Sequence, residues 1–448
     1  MTKPRTAALH NLGCKVNGYE LDIMQQKLRE SGYEIVPFTE KADIYIINTC
    51  TVTGIADRKS RQMLHRVRKQ NPEALVVAVG CYAQTGRDEA ERDEAVDLLV
   101  GNNKKGEIVE LIEAYLSGDR TDKTLGGTTY ADLTEHPVFE SMQLKTPSHT
   151  RAYIKIQDGC NQFCTYCLIP YARGRIRSRD PEEVLEEVCT LSESGIREVV
   201  LTGIHVSSYG KEQGKQPDAE LLQLMTRIQM IGQIRRIRLS SLEPRIMTEE
   251  FVRGISRLSK VCPHFHLSLQ SGCDATLRRM NRHYTAQEYA EVVERLRRYY
   301  VNPAITTDVI VGFPGETEEE FEASRAFIEQ IHFYETHVFP YSPRRGTVAA
   351  GMKDQVGGAQ KQARSEQLIR LSAQRAAEFR ALFDGQEEEL LLEERSEDPA
   401  YYVGHTMRYV EALYPADAGA GPGEVVRGTL HMEKESGRMV MEPAGSLQ

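Results

Sequence analysis

Cys160, Cys164 and Cys167 stand in the segment DGCNQFCTYCLIPYARG, spaced CxxxCxxC. Thiolates are soft ligands, and three so close together make a three-point seat for an iron–sulfur cube. A cube has four irons, so this seat leaves one of them without a protein ligand. An open iron can bind a small molecule directly, whereas a fully ligated cluster mostly passes electrons. Two plainer chemistries fit less well. Nine cysteines in 448 residues are too sparse for a disulfide-stapled scaffold. A structural zinc site usually shows paired CxxC motifs and a fourth Cys or His. No second pair lies near Cys160, and His149 is on the far side of a strand-like run.

Cys14, Cys50 and Cys81 are far apart, yet each sits just past the C-terminal end of an apolar, strand-like run: RTAALHNL, ADIYIINTC and ALVVAVGCYAQ. In a parallel sheet those ends line one edge, so distant residues can converge there. The turns GCKVN, NTCTVT and GCYAQ are rich in small residues, which lets the backbone approach a bulky ligand. A single cysteine of this kind is usually a buried apolar residue. Three at equivalent strand ends point instead to a second cluster site. Cys189, Cys262 and Cys273 fit no such pattern and read as structural.

The elements that must position these residues follow from periodicity. Residues 5–116 alternate between strand-like runs and amphipathic helices, which predicts a small doubly wound parallel α/β domain over 1–118. A polar linker spans 118–148. From Arg151 the rhythm restarts and gives about six strand–helix repeats, a partial (β/α) barrel over 146–376. In such barrels the chemistry lies at the C-terminal ends of the strands. CxxxCxxC follows the first strand, RAYIKIQDG, directly. A long helix leads to short β-like stretches over 384–446, read as a small β-barrel.

The net charge of −9 is carried entirely by Asp384–Gln448, which holds 14 acidic and 5 basic residues. Any nucleic-acid surface is therefore expected in the neutral remainder. Arg173, Arg175, Arg177 and Arg179 alternate just beyond Cys167 and are expected to form a phosphate-binding track. Helix residues Lys59, Arg61, Arg66, Arg68 and Lys69 would extend it. A solvated charged loop is the plainer reading of such a run. Neither an apolar leader nor a membrane-length run is visible, and with reduced thiols this suggests the cytoplasm.

CxxxCxxC is the signature of radical S-adenosylmethionine (SAM) enzymes. Together with the three-cysteine α/β region and the C-terminal β-region, the chain resembles the radical-SAM methylthiotransferase family over essentially its whole length. That resemblance implies two [4Fe–4S] clusters, one on Cys160, Cys164 and Cys167 where SAM binds, and an auxiliary one on Cys14, Cys50 and Cys81. It also implies a C-terminal TRAM domain, although EEELLLEERSED is acidic for an RNA-binding surface. The wording HNLGCKVNGYE, NTCTVTGIADRKSRQ and GCNQFCTYCLIPYARGRIRSR is similar to the branch acting on N6-threonylcarbamoyladenosine at tRNA position 37. Other branches act on isopentenyladenosine tRNA or on an aspartate of a ribosomal protein. The implied reaction replaces hydrogen at C2 of adenine by a methylthio group, with a SAM-derived radical, sulfur from the auxiliary cluster and the methyl of a second SAM. Implied partners are the tRNA anticodon loop and an electron donor such as flavodoxin or ferredoxin, with neither DNA nor a membrane. Strand ends place the expected SAM contacts at Thr202, Gly203, Ser241, Glu243, Gln270 and Asp308, each of which could equally trim the barrel core.

Overall fold

The computed structural model describes residues 4–51, 54–118, 122–133 and 138–444. Its first sheet is parallel. It consists of β1 (Thr6–Asn11), β2 (Glu34–Ile35), β3 (Ile44–Thr49), β4 (Leu75–Gly80) and β5 (Leu98–Val100), in the order β2-β1-β3-β4-β5. β3 and β4 are buried at every position, because helices cover both faces. Helix α1 (Lys15–Glu30) presses Met24 and Leu28 on one face, and α2 (Gly54–Gln70) presses Leu64 and Val67 on the other. The strand order reverses between β1 and β3, and a doubly wound sheet opens a ligand crevice at that point.

The second body is an arc of six parallel strands. β6 (Arg151–Asp158), β8 (Glu198–Gly203) and β9 (Arg236–Leu239) form one sheet, edged by the short antiparallel β7 (Arg177–Ser178). β10 (His264–His266), β11 (Ala304–Val311) and β12 (Glu335–Pro340) form the next. Bridges Ile237–Val261 and Leu242–Leu267 join the two sheets. Outer helices such as Pro181–Glu193 and Ala286–Tyr299 bury their apolar stripes on the arc. Helix α1 packs there as well, with Tyr19 and Ile23 in the arc's own core.

The C-terminal strands β13 (Glu387–Arg395), β14 (Tyr401–Thr406), β15 (Glu411–Pro415), β16 (Val425–Met432) and β17 (Met439–Pro443) close into a barrel, β13-β14-β15-β17-β16. This barrel docks beneath β9. Arg236 donates to the carbonyls of His405 and Glu389, each at 2.8 Å, and Arg238 to that of Met407 at 3.1 Å.

Two local readings are corrected. The third strand stops at Gly80, and Cys81 starts a short helix, α3 (Cys81–Thr85), instead of prolonging the strand. The described part of the 118–148 stretch is more than a polar tether. Leu99 and Gly101 donate to the carbonyls of Lys123 and Thr129, and Leu133, Met142 and Leu144 are buried. Among the described residues no helix is long and apolar enough to cross a membrane.

Candidate cluster sites

Cys14, Cys50 and Cys81 follow β1, β3 and β4, which are neighbours in the sheet. The strand-end rule therefore brings them to one crevice. Cys14 is the N-cap of α1, and Cys81 opens α3. Gly13 holds φ +131°, and a Cβ there would stand 3.1 Å from the Cys50 sulfur, so this turn needs glycine. Asn102 donates to Ala172 O at 2.8 Å and reaches the Cys81 sulfur at 3.6 Å. This one side chain thus links the first sheet's crevice to the segment behind Cys167.

The second set lies on the loop after β6. The Cys160 sulfur accepts from Gln162 N, and the Cys167 sulfur from Ile169 N, both at 3.4 Å. Arg282 Nη1 lies 3.4 Å from the Cys164 sulfur. Gly159, at φ +72°, passes so close to Arg175 O that a Cβ would lie 1.9 Å from it. Burial pushes the Cys160 thiol up to about 11 and the Cys167 thiol up to about 12. Buried sulfurs of this kind release their protons to a metal and otherwise stay inert.

Between the two sets lies a buried ionic cluster. Glu20 pairs with Lys105, Lys155 and Arg173, and Asp158 with Lys155, Arg173 and Arg177. Four cations thus share two carboxylates, nearly all without solvent contact. Desolvation opposes ionisation of Glu20 and Asp158, but the surrounding cations overcome it and hold both carboxyls well below the usual range. The surplus positive charge faces sulfur. Arg173 acts on both Cys14 and Cys81, and Lys105 on Cys81.

The donor sets fit iron–sulfur cubes on two counts. Each offers three thiols, and the surplus of buried cations suits an anionic thiolate-ligated group. Among the described residues the three sulfurs of neither set lie within 4.8 Å of one another. A lone tetrahedral ion with bonds near 2.3 Å would draw them to about 4 Å, so neither set is arranged for one.

The residues expected to hold SAM divide in two. Thr202 and Gly203 end β8 near Gln157. Glu243, beyond β9, accepts from Gln162 at 2.7 Å and sits 3.2 Å from His205, so it grips the CxxxCxxC loop itself. Burial raises its carboxyl, but His205 and Arg245 together bring it down to about 2. Gln270 takes φ +68° and donates from its backbone to Asp308 O at 2.8 Å. Ser241 and Asp308 line a separate cleft of the arc, together with Lys15, His266 and His337.

The four-arginine track is corrected. Arg173, Arg177 and Arg179 are buried, each paired with carboxylates: Glu20 and Asp158, Asp158, and Glu187 and Glu183 respectively. Alternation put them on one face of an extended segment, and that face turned inward toward α1 and helix Pro181–Glu193. Arg175 alone is exposed, over the Phe163 ring at 4.7 Å. On α2, Arg61 pairs with Glu89 and Asp57, and Arg68 with Asp97, whereas Lys59, Arg66 and Lys69 are exposed. The sequence reading also missed Glu20, Lys105, Lys155, Asn102, Gln162 and Arg282. None carries a local motif, since each acts through a partner far away in the chain.

Comparison with known proteins gives the family of the chain. Residues 154–328 match the Radical SAM superfamily, and residues 6–101 match the uncharacterized protein family UPF0004. The threonylcarbamoyladenosine tRNA methylthiotransferase MtaB of Bacillus subtilis is 41% identical, over 91% of this chain and 90% of that protein. Its Aquifex aeolicus namesake is 41% identical over 83% of this chain and 89% of that protein. A tRNA-2-methylthio-N(6)-dimethylallyladenosine synthase of Moorella thermoacetica is 37% identical over 95% of this chain and 96% of that protein. Among solved structures, the radical SAM methyltransferase TsrM of Kitasatospora setae, with cobalamin and a [4Fe-4S] cluster bound, superposes with a TM-score of 0.53 at 16% identity. It covers 76% of this chain and 74% of that one, a likeness of fold alone.

Proposed function

We infer the reaction from one premise: this chain belongs to the radical-SAM methylthiotransferase family. It is a tRNA-modifying enzyme that methylthiolates N6-threonylcarbamoyladenosine, the substrate class named for its 41%-identical relatives. We assign the modified atom to C2 of the base at position 37 and the bound element to the anticodon loop. The observation that carries the reading is the pair of three-cysteine sets bracketing one ionic cluster at the junction of the two sheets.

Cys160, Cys164 and Cys167 would hold one cluster and Cys14, Cys50 and Cys81 the other. Bound clusters and SAM supply one-electron cleavage chemistry and a transferable sulfur, which an aromatic C–H without useful acidity requires. The chain's own task is positioning. Gln162, Glu243 and His205 fix the CxxxCxxC loop, Arg282 steadies Cys164, and the Glu20 network sets one cysteine crevice against the other. Thr202, Gly203, Glu243 and Gln270 are our SAM contacts. Residues 1–118 carry the auxiliary site, 146–376 the radical SAM core and 384–446 a TRAM-like barrel. A flavodoxin- or ferredoxin-type donor supplies the electron, the enzyme works in the cytoplasm, and neither DNA nor a membrane takes part.

Mass spectrometry of tRNA nucleosides from a deletion strain tests the reading. The 2-methylthio derivative of threonylcarbamoyladenosine should disappear and its precursor accumulate. Persistence of the mark with no second enzyme present, or conversion of isopentenyladenosine tRNA by the purified protein, would overturn it.

A further inference from the structure

A second cleft of the arc, about 250 Å³ in volume, has no cysteine in its lining. One wall is Lys15, the first residue of α1 and the chain neighbour of Cys14. Its side chain is exposed to the cleft, and among the described residues no carboxylate lies within 4.0 Å of it. Its charged neighbours are Arg238, Arg151, Glu198 and Asp308. The guanidiniums of Arg151, Arg236 and Arg238 already share Glu198, and the other lining carboxylates, Asp308 and Glu335, lie more than 4.0 Å from the Lys15 ammonium. The lining also holds polar groups able to donate. His266 binds Thr306 Oγ1 at 3.0 Å and Asp308 at 3.2 Å, and it stacks on His337 at 5.7 Å.

Two histidines and a carboxylate within 4.8 Å of one another would also suit a divalent cation. Arg151, Arg238 and Lys15 line the same cleft, as do Asp308 and Glu335; the two arginines are spent on Glu198 and Glu393, so the anion-binding charge is that of Lys15 itself. Resting on the function proposed above, the anion has a ready identity. A threonylcarbamoyl group ends in a carboxylate and carries a hydroxyl, whereas an isopentenyl group has neither. A cation without a carboxylate of its own can also exclude the apolar analogue, since that analogue would strip water from Lys15 and return nothing.

We propose that this cleft is the specificity pocket for the base substituent, with Lys15 binding the threonyl carboxylate and the His266–Asp308 pair facing the hydroxyl. Lys15 then places the substituent next to Cys14. Asp308 and Ser241, expected from strand-end position to contact SAM, belong to the substrate side instead.

The test is binding of anticodon-stem-loop hairpins to the reconstituted protein, which needs no turnover. Three hairpins differ only at base 37: threonylcarbamoyladenosine, the same with its carboxylate as a carboxamide, and isopentenyladenosine. Wild type should prefer the carboxylate over the carboxamide by about tenfold, the scale of one charge-assisted hydrogen bond. Lys15→Met should bind both alike, near the wild-type carboxamide affinity, and Lys15→Arg should regain part of the preference. Iron content reports whether Cys14 next door is disturbed. His337→Asp, elsewhere in the lining and on β12, adds repulsion away from Cys14 in the chain and should weaken only the carboxylate hairpin. A wild-type protein indifferent to carboxylate against carboxamide, or a Lys15→Met protein that keeps the preference or loses both ligands equally, overturns the assignment. A wild-type protein that favours the isopentenyl hairpin removes the substrate reading itself and this pocket with it.

Discussion

Arg173 clasps Glu20 through two bonds, Nη1 to Oε1 at 2.5 Å and Nη2 to Oε2 at 3.0 Å. The arginine closes the segment behind Cys167, and the glutamate lies on the helix that starts behind Cys14. One bidentate pair therefore fixes one cysteine set relative to the other. Both groups are about 1% exposed, so neither can fall back on water. Arg173→Met leaves Glu20 with Lys105 and Lys155 but removes the charge-assisted bonds across the junction, and should cost about 1.5–3 kcal/mol. Urea unfolding reads the loss, and iron analysis should show the Cys14 set emptying first. Unchanged stability would mean that the pair does not hold the junction together.

The two cysteine sets should separate by content and by function. Reconstituted protein should hold about eight irons, as two cubes require. Replacing Cys160, Cys164 and Cys167 by Ala should leave about half the iron and abolish reductive cleavage of SAM. Replacing Cys14, Cys50 and Cys81 should also leave about half, but keep cleavage while stopping thiolation. Full iron in the second variant would remove the auxiliary site.

Glu198 makes acid sensitivity local. Its burial alone would raise the carboxyl, but Arg238, Arg151 and Arg236 hold it at about 2, below the ordinary 4.5. A depressed carboxyl stabilises the fold fully above about 4.5, and the contribution fades as pH falls toward 2. The loss should amount to a few kcal/mol. The same arginines grip the carbonyls of His405, Thr406 and Met407, so the C-terminal barrel should loosen first. Denaturation midpoints between pH 5 and pH 2 report it. Glu198→Gln should be less stable at neutral pH and show a shallower acid slope. An unaltered slope would place the acid sensitivity elsewhere.

The fold was legible where a pattern repeats. Buried runs such as LVVAVG announce parallel strands, and the strand-end rule puts Cys14, Cys50 and Cys81 at one sheet edge. What stayed hidden was pairing across distance. Arg173, Arg177 and Arg179 look like a surface run because their spacing is local, while Glu20, Asp158 and Glu187, which bury them, are set by how α1 and helix Pro181–Glu193 pack. Lys15 was invisible for a related reason. A lysine beside a cysteine has no signature until the arc closes around it.

Arg175 and Arg177 now separate, although the sequence pairs them. Arg175 is exposed and stacked on Phe163, three residues beyond Cys160, with its charge open to a phosphate. Arg177 is buried, pairs with Asp158 at 3.1 Å and donates to the carbonyls of Arg173 and Arg175 at 2.6 and 3.2 Å. Arg175→Ala should weaken tRNA binding and lower the slope of log affinity against log salt by about one, one phosphate contact's share. Its thermal stability should be close to wild type, since an exposed side chain away from any cap or core rarely matters by more than about 0.5 kcal/mol. Arg177→Ala should do the reverse. It uncovers Asp158 inside the ionic cluster, so the melting temperature should drop and the salt slope of the protein that remains folded should hold. Binding isotherms at several salt concentrations, set beside melting curves, give both readings on the same samples. A flattened slope for Arg177→Ala at wild-type stability would restore the arginine track, and an unchanged slope for Arg175→Ala would move the RNA contact to the exposed bases of α2.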